Sequence, residues 1–394
     1  MSDFSQSGGI TTLHRLTGVA GSAPMTWFES LPDRSPVVVV LPVHQRDLGV
    51  PALEKILVKL TCCAVIRALI LVINGADEAT LAEVRGRYGS SNCWIRSGDS
   101  ARVQRVISES LGVDASMLSG KGLNLWLGMS LVRRHFPEAR VLMHDADITS
   151  FEMELPARLA FPLLHESLDY QFAKGYYVRY SERLYGRVTR LFVTPLLRAL
   201  VRVFGHSPFL DYLTSFRYVL AGEQGIGPEL LGQIRMPLGW GVELGLLAEA
   251  FRHLEPRKIC QIDLATNYQH KHQELKPGQS LAGLGRMCQE IGGTLFYEVE
   301  REGMRLGESE RTALLQSFHR QALEAVRRHH HDAIFNGLDV DPEEETWLAQ
   351  EFHAALGEAL ARYPEMRQTP PRVAPPIDAL LEKKTALAQW VDDG

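Results

Sequence analysis

Two runs of aliphatic and β-branched residues, SPVVVVLPV ending near Val43 and RALILVING from Arg67 to Gly75, bracket LGVPALEKILVKLTCC, whose apolar residues fall at helical spacing. Strands without polar alternation are covered on both faces, which a sheet with one wet face does not provide. Strand, helix and strand at this separation predict a right-handed βαβ unit. Pro42 is expected to stop the first strand, and Asn74-Gly75 to turn the chain after the second.

The alternation continues. Helical patterns at DEATLAEVRGRYG, ARVQRVISESLG and GLNLWLGMSLVRRHF alternate with strands at CWIRS and ARVLMHDAD. The predicted class is therefore α/β, with a parallel sheet of the nucleotide-binding type and ligands lying off the carboxyl ends of its strands. Residues 1 to 35 read as a mixed, polar leader without the apolar run of a secretory signal. From about 310 the pattern turns helical, and TPPRVAPP, Thr369 to Pro376, reads as an extended linker to a last short helix.

A chain of 394 residues with 45% hydrophobic residues can bury a large core. Its net charge of -5 offers nucleic acid no general attraction, so any anion site must come from a local cluster. Five cysteines without CxxC spacing predict buried, reduced thiols and a cytoplasmic protein. The longest apolar runs, LTCCAVIRALILVI and LFVTPLLRALVRVF, contain arginine and are too short to span a bilayer. The second is expected to pack on the core or a subunit interface.

The chemistry-bearing residues sit at element ends. Asp145 and Asp147, in VLMHDADITSF, follow a buried strand, and a hard divalent cation on a diphosphate asks for such a pair: one or two carboxylates, with phosphate oxygens and water completing the shell. Asp339 and Asp341 have the same spacing but precede PEEETWLAQEF, where Asp341 is a helix cap. Lys121 opens a helix between glycines; it reads either as a point charge for a phosphate or as a solvated loop lysine. SGKGLN lacks the spacing of a P-loop, and GIGPELLG that of a dinucleotide fingerprint.

Phe172 to His206 holds Lys174 and six arginines against Glu182, a local balance of +6 inside an acidic chain. Within it Gly186-Arg187-Val188-Thr189 opens a helix, where free N–H groups favour an anion. Glu243, after Gly239 and Gly241, reads as a helix-start acid or a catalytic one. His270 and His272 form His-x-His, which suits a metal or a wet surface. His329, His330 and His331 read as a solvated helix end, because consecutive side chains diverge on a helix.

Taken in order, LPVH, GKG, HDAD, FAKGYYVR, YGRVTRLFVTPLLRAL, LAGEQ, GWGVELGLLAEAF and HKH resemble the glucosyl-3-phosphoglycerate synthases, retaining GT-A glycosyltransferases related to mannosylglycerate-type enzymes. The resemblance covers roughly residues 36 to 280. It implies transfer of glucose from a nucleotide diphosphate sugar, usually UDP-glucose, to the 2-hydroxyl of 3-phosphoglycerate with Mg2+ or Mn2+, in a homodimer. It implies a nucleotide-sugar-binding half at 36–150 and an acceptor-binding and catalytic half at 151–300; the leader at 1–35 and the helical extension at 301–394 lie outside the clear match. By the same resemblance Leu41, Pro42 and Val43 meet the nucleotide, Lys121 the diphosphate and Asp145 the ribose. Asp147 and His270 become metal ligands, Gly186, Arg187, Val188 and Thr189 the cradle of the acceptor's phosphate, and Glu243 the acid that orients its hydroxyl. The chain departs from its relatives at His44-Gln45-Arg46-Asp47, where they carry Asn and acids, and at His272, where they carry Asn on the acceptor side. GDP-mannose, unphosphorylated glycerate, or nucleotide-sugar binding without catalysis are the alternative readings.

Overall fold

The computed structural model describes residues 6, 8–16, 23–114, 118, 120–269, 282–368, 372–383 and 385–392. Strands β1 (Thr11–Leu13), β2 (Ser35–His44), β3 (Ile66–Asn74), β4 (Cys93–Ser97), β5 (Arg140–Met143), β6 (Phe172–Tyr177) and β7 (Gln224–Ile226) share one sheet with β9 (Ile259–Ala265). The short β8 (Met236–Pro237) pairs instead with β10 (Val373–Ala374). In space the large sheet runs β1-β9-β6-β7-β5-β2-β3-β4. Among the described residues its pairs are parallel, except that β7 runs antiparallel to β5 and β6.

The predicted βαβ unit is β2, the helix Pro51–Thr61 and β3, with Leu41 opposite Leu71 and His44 opposite Asn74. Pro42 does not stop β2. The neighbouring β5 pairs with β2 only as far as Val40, so Pro42 lies past that neighbour's end, where a missing N–H is tolerated. Part of the expected leader is built into the sheet, since β1 pairs with β9 from Thr11 to Leu13. The boundary expected at residue 150 falls inside the same sheet, because β5 and β6 both pair with β7.

The C-terminal segment is docked throughout its described parts. LFVTPLLRALVRVF becomes a π-helical turn, Thr189–Val193, running into the helix Thr194–Phe204. Its apolar face is core-packed as expected: Phe192 lies 5.7 Å from Phe318 and 5.8 Å from Phe352, centroid to centroid. Those rings belong to the helices Glu308–Phe335 and Pro342–Gln368. Of the expected extended linker, residues 369–371 lie outside the described residues, while residues 372–376 run extended along β8 into the short helix Ile377–Glu382 and form a strap. Leu238 N–H donates to Arg372 O at 3.0 Å, and Asp378 accepts both arms of Arg133 at 2.6 and 2.8 Å.

Two smaller expectations change. Cys93, Cys260 and Cys288 are buried, but Cys62 is exposed and Cys63 half-buried, because they follow the end of the helix Pro51–Thr61. His329 is half-buried rather than fully solvated: burial, with Arg190 and Arg198 nearby, holds its imidazole down at about 4. No helix among the described residues is long and apolar enough to cross a membrane.

Candidate active site

Past the end of β5, Asp145 and Asp147 reach a cavity of about 490 Å3. Lys121, Glu243 and the run Gly186–Thr189 line the same space. Such convergence follows from the topology, since parallel strands deliver the loops after their carboxyl ends to one edge of the sheet. Lys121 opens the helix Lys121–His135, and Glu243 sits in the first turn of Val242–His253. The Lys121 ammonium stands 2.5 Å from Asp145 Oδ1 and 2.8 Å from Glu243 Oε1. Burial alone pulls the Lys121 pKa down, but the two carboxylates outweigh it and hold the amine well above its usual value. The lysine is therefore a fixed cation, and the trio it forms carries one positive against two negative charges.

A buried polar layer supports the trio. Glu223 accepts from Asp145 N–H at 3.4 Å and from the Tyr177 hydroxyl at 2.7 Å. Tyr177 stacks on Tyr268 with centroids 3.8 Å apart. Lys174, wholly buried in β6, donates to Ala221 O at 2.6 Å. Burial, helped by the Lys121 charge, lowers its pKa to about 7 against the pull of Glu243, Glu223 and Asp145. His144 is buried edge-on to Phe151, and burial drops its pKa to about 4, so it stays neutral. Gly222 passes so close that a Cβ there would lie 2.6 Å from both Lys121 Nζ and Asp145 Oδ1.

The basic stretch forms the opposite wall. Gly186 adopts φ 74°, a left-handed conformation that other residues resist, and the helical run starts at Arg187. Arg187 Nη2 pairs with Glu344 Oε1 at 2.9 Å, and Arg190 with Glu345 at 2.6 Å. Tyr185 N–H donates to Arg179 O at 2.9 Å, closing the loop on itself. Leu284, Met287 and Ile291, from the helix Ala282–Arg301, add an apolar wall, and Trp240 stands half-exposed at the rim.

Not every expected residue lines the cavity. Leu41 and Val43 are buried in the core and Pro42 is half-buried, and none of the three lines the space, so only their strand end approaches it. The departing stretch His44–Asp47 does reach it: a 3-10 turn, held by Arg46 N–H on His44 Nδ1, brings Arg46 and Asp47 to the wall. His270 and His272 lie outside the described residues. The residue before them, Gln269, accepts from Thr149 N–H at 2.9 Å, two positions past Asp147. Asp341 caps its helix, accepting from Glu343 and Glu344 N–H at 3.0 Å.

Sequence reasoning missed Glu223, Tyr177, Tyr218 and Arg179 as members of the site. Glu223 in LAGEQ carried a signal, an acid among small and apolar residues. Tyr177 carried none, because an aromatic residue in a strand ordinarily denotes core.

The donor set suits a hard divalent cation. Among the described residues no group of three or more His, Cys, Asp or Glu side chains is close enough to hold a metal alone. A cation carried on a diphosphate does not need one; one or two carboxylates suffice. Asp147 offers oxygen on the cavity wall, while Asp145 is already engaged by Lys121.

No family model matches the chain. Curated relatives do. A glucosyl-3-phosphoglycerate synthase of Persephonella marina is 33% identical over 396 residues, covering 100% of this chain and 97% of that relative. One from Methanococcoides burtonii is 32% identical over 361 residues, covering 89% and 87%. Among solved structures, glucosyl-3-phosphoglycerate synthase of Mycobacterium tuberculosis with Mn2+, UDP-glucose and phosphoglyceric acid is 23% identical, with TM-score 0.52 over 74% of this chain and 88% of that one. Mannosyl-3-phosphoglycerate synthase of Rubrobacter xylanophilus, also 23% identical, gives TM-score 0.54 over 72% and 86%. The structural matches establish a shared fold. The Persephonella match also runs through the helical C-terminal segment.

Proposed function

The chain belongs to the glucosyl-3-phosphoglycerate synthase family, of GT-A-type fold, and from that premise we propose that it transfers glucose from UDP-glucose to the 2-hydroxyl of 3-phosphoglycerate with retention. One observation carries the reading: Lys121, Asp145, Asp147 and Glu243 share a cavity with Arg179, Arg183 and Arg187, the arginines that precede and open the helical run after Gly186. An enzyme joining a sugar diphosphate to a phosphorylated acid must accommodate two anions side by side: Arg179, Arg183 and Arg187 offer one of them a cationic wall, and Lys121 with its neighbouring carboxylates suits the other when it arrives with a divalent cation.

In this reading Asp145 faces the donor's ribose, and Lys121 meets the diphosphate. A divalent cation, Mg2+ or Mn2+ held by Asp147 and His270, would offset the charge that develops on the leaving diphosphate. Metal and lysine are both needed on charge grounds, because Lys121 alone leaves its two carboxylate partners net negative. The thread from Thr149 to Gln269 supports pairing Asp147 with the following His270. Arg187 and the N–H groups of Val188 and Thr189 hold the acceptor's phosphate at a helix start. With the phosphate anchored, Glu243 orients the 2-hydroxyl toward the anomeric carbon, reducing the entropic part of the barrier. Attack on the face the diphosphate leaves gives retention without a covalent intermediate.

Release of the nucleoside diphosphate, measured across a donor and acceptor panel with and without EDTA, tests this reading. UDP-glucose with 3-phosphoglycerate is expected to be the fastest pair and to be silenced by EDTA. Preference for GDP-mannose or for free glycerate would move the assignment to another hexosyltransferase. Tight UDP-glucose binding without turnover under saturating Mn2+ and acceptor would replace it with a binding protein. We further read the protein as cytoplasmic and homodimeric, the latter testable by light scattering.

A further inference from the structure

Arg187 faces two spaces. Together with Arg183 it lines the main cavity and also a second cavity of about 340 Å3 on the side of the C-terminal segment. Glu344 stands in that second space. Its Oε1 lies 2.9 Å from Arg187 Nη2, and its Oε2 lies 3.7 Å from Arg183 Nη1. The carboxylate and the Arg187 guanidinium are mostly enclosed, with side chains 16% and 15% exposed.

The position of Glu344 is fixed from three sides. Its own N–H donates to Asp341 Oδ1 at 3.0 Å, which locks it into the first turn of the helix Pro342–Gln368. Upstream, Asp339 N–H donates to Glu182 O at 2.6 Å, joining the segment to the loop that carries both arginines. Beside it, Glu345 pairs with Arg190 at 2.6 Å. The wall of the acceptor side is thus held by carboxylates from outside the sheet domain.

We propose that Glu344 is a positioning residue of the acceptor site: it holds the guanidinium groups of Arg183 and Arg187 from behind, leaving their other N–H donors to the main cavity for the acceptor's phosphate. The proposal rests on reading Arg187 as phosphate-binding. A guanidinium has five N–H donors and one carboxylate uses at most two, so the pairing orients the group without saturating it. An arginine left free must be immobilised when the anion arrives, and that cost falls on acceptor affinity alone.

Glu344→Ala is expected to raise the KM for 3-phosphoglycerate about tenfold, the cost of ordering one or two rotamer-rich side chains. The KM for UDP-glucose, and that for unphosphorylated glycerate where turnover is measurable, are expected to stay as they are. Glu344→Gln, which keeps an oxygen acceptor, should recover part of the loss, and exposed Glu343→Ala on the same turn should change neither. Calorimetric titration of 3-phosphoglycerate alone into wild type and Glu344→Ala reads the same effect whatever reaction is catalysed, so failure of the proposed reaction shows in turnover and failure of this inference shows in anion binding. Unchanged anion binding overturns the inference. Equal weakening of phosphorylated and unphosphorylated acceptors overturns it too, as the mark of general disruption. Tighter anion binding in Glu344→Ala also overturns it, since the carboxylate would then compete with the ligand.

Discussion

Lys121 and Glu243 meet at 2.8 Å although each opens a different helix. The contact makes the two helix starts one unit, with Asp145 on the other side of the ammonium at 2.5 Å. Removing the cation leaves two carboxylates enclosed together. Lys121→Met is therefore expected to lower kcat/KM by about 100-fold or more. It should also cost about 2 kcal/mol of stability by denaturant titration, from the uncompensated acids. Unchanged kinetics would remove Lys121 from the chemistry and leave it a structural ion pair.

Under the proposed function Asp147 is assigned to the metal. Asp147→Asn keeps the size and loses the charge, so the fold should persist by circular dichroism while Mn2+-dependent turnover falls by about 100-fold or more. Activity at the wild-type level over a Mn2+ titration would contradict the assignment.

In the proposed function Arg187 is assigned to the acceptor's phosphate. For Arg187→Ala the acceptor KM should rise about 10- to 100-fold, the worth of a charge-assisted hydrogen bond, with donor binding little changed. A rise in the donor KM of the same size would point instead to collapse of the wall.

Gly222 has a tighter requirement than its loop suggests. The methyl group of Gly222→Ala would meet Lys121 Nζ and Asp145 Oδ1 at 2.6 Å, and both are ends of side chains that can swing away. Thermal stability should therefore change little, while kcat falls about 100-fold as the trio is displaced. A variant of normal kcat would show that the trio tolerates displacement.

Lys174 gives a pH signature. Its pKa is near 7 in the folded protein and 10.5 as an ordinary lysine, so between those values the folded state binds fewer protons than the unfolded state. Stability contributed by this site then rises with pH across the window, and the penalty is complete below about pH 7. Relative to Lys174→Met, wild type should gain roughly 1 kcal/mol per pH unit between pH 7.5 and 10 in urea titrations. A flat difference would mean the ammonium is solvated or paired more strongly than its buried position indicates.

Much of the fold was legible in the chain because its strands are buried on both faces. SPVVVVLPV and RALILVING admit few alternatives, and the helix between them has one apolar side. Pro42 misled because a rule about ladder bonds depends on which neighbour is present at that row, and β5 ends before it. The tail was legible as helix but not as the support behind the cavity wall, since nothing in PEEETWLAQEF states that Glu344 will face Arg187.

By itself the sequence determined the α/β class, the helix starts at Lys121 and Glu243, the cap at Asp341 and the concentration of positive charge between Phe172 and His206. These follow from local periodicity, capping and composition, which act over a few residues. Only the tertiary structure decided that Lys121 is held by two acids, that Glu223 and Tyr177 stand behind Asp145, and that the C-terminal segment grips Arg187 on the cavity wall. Those relations join residues far apart in the chain, and their energies depend on burial and on distances of a few ångströms, which exist only once the sheet has brought its loops to one edge.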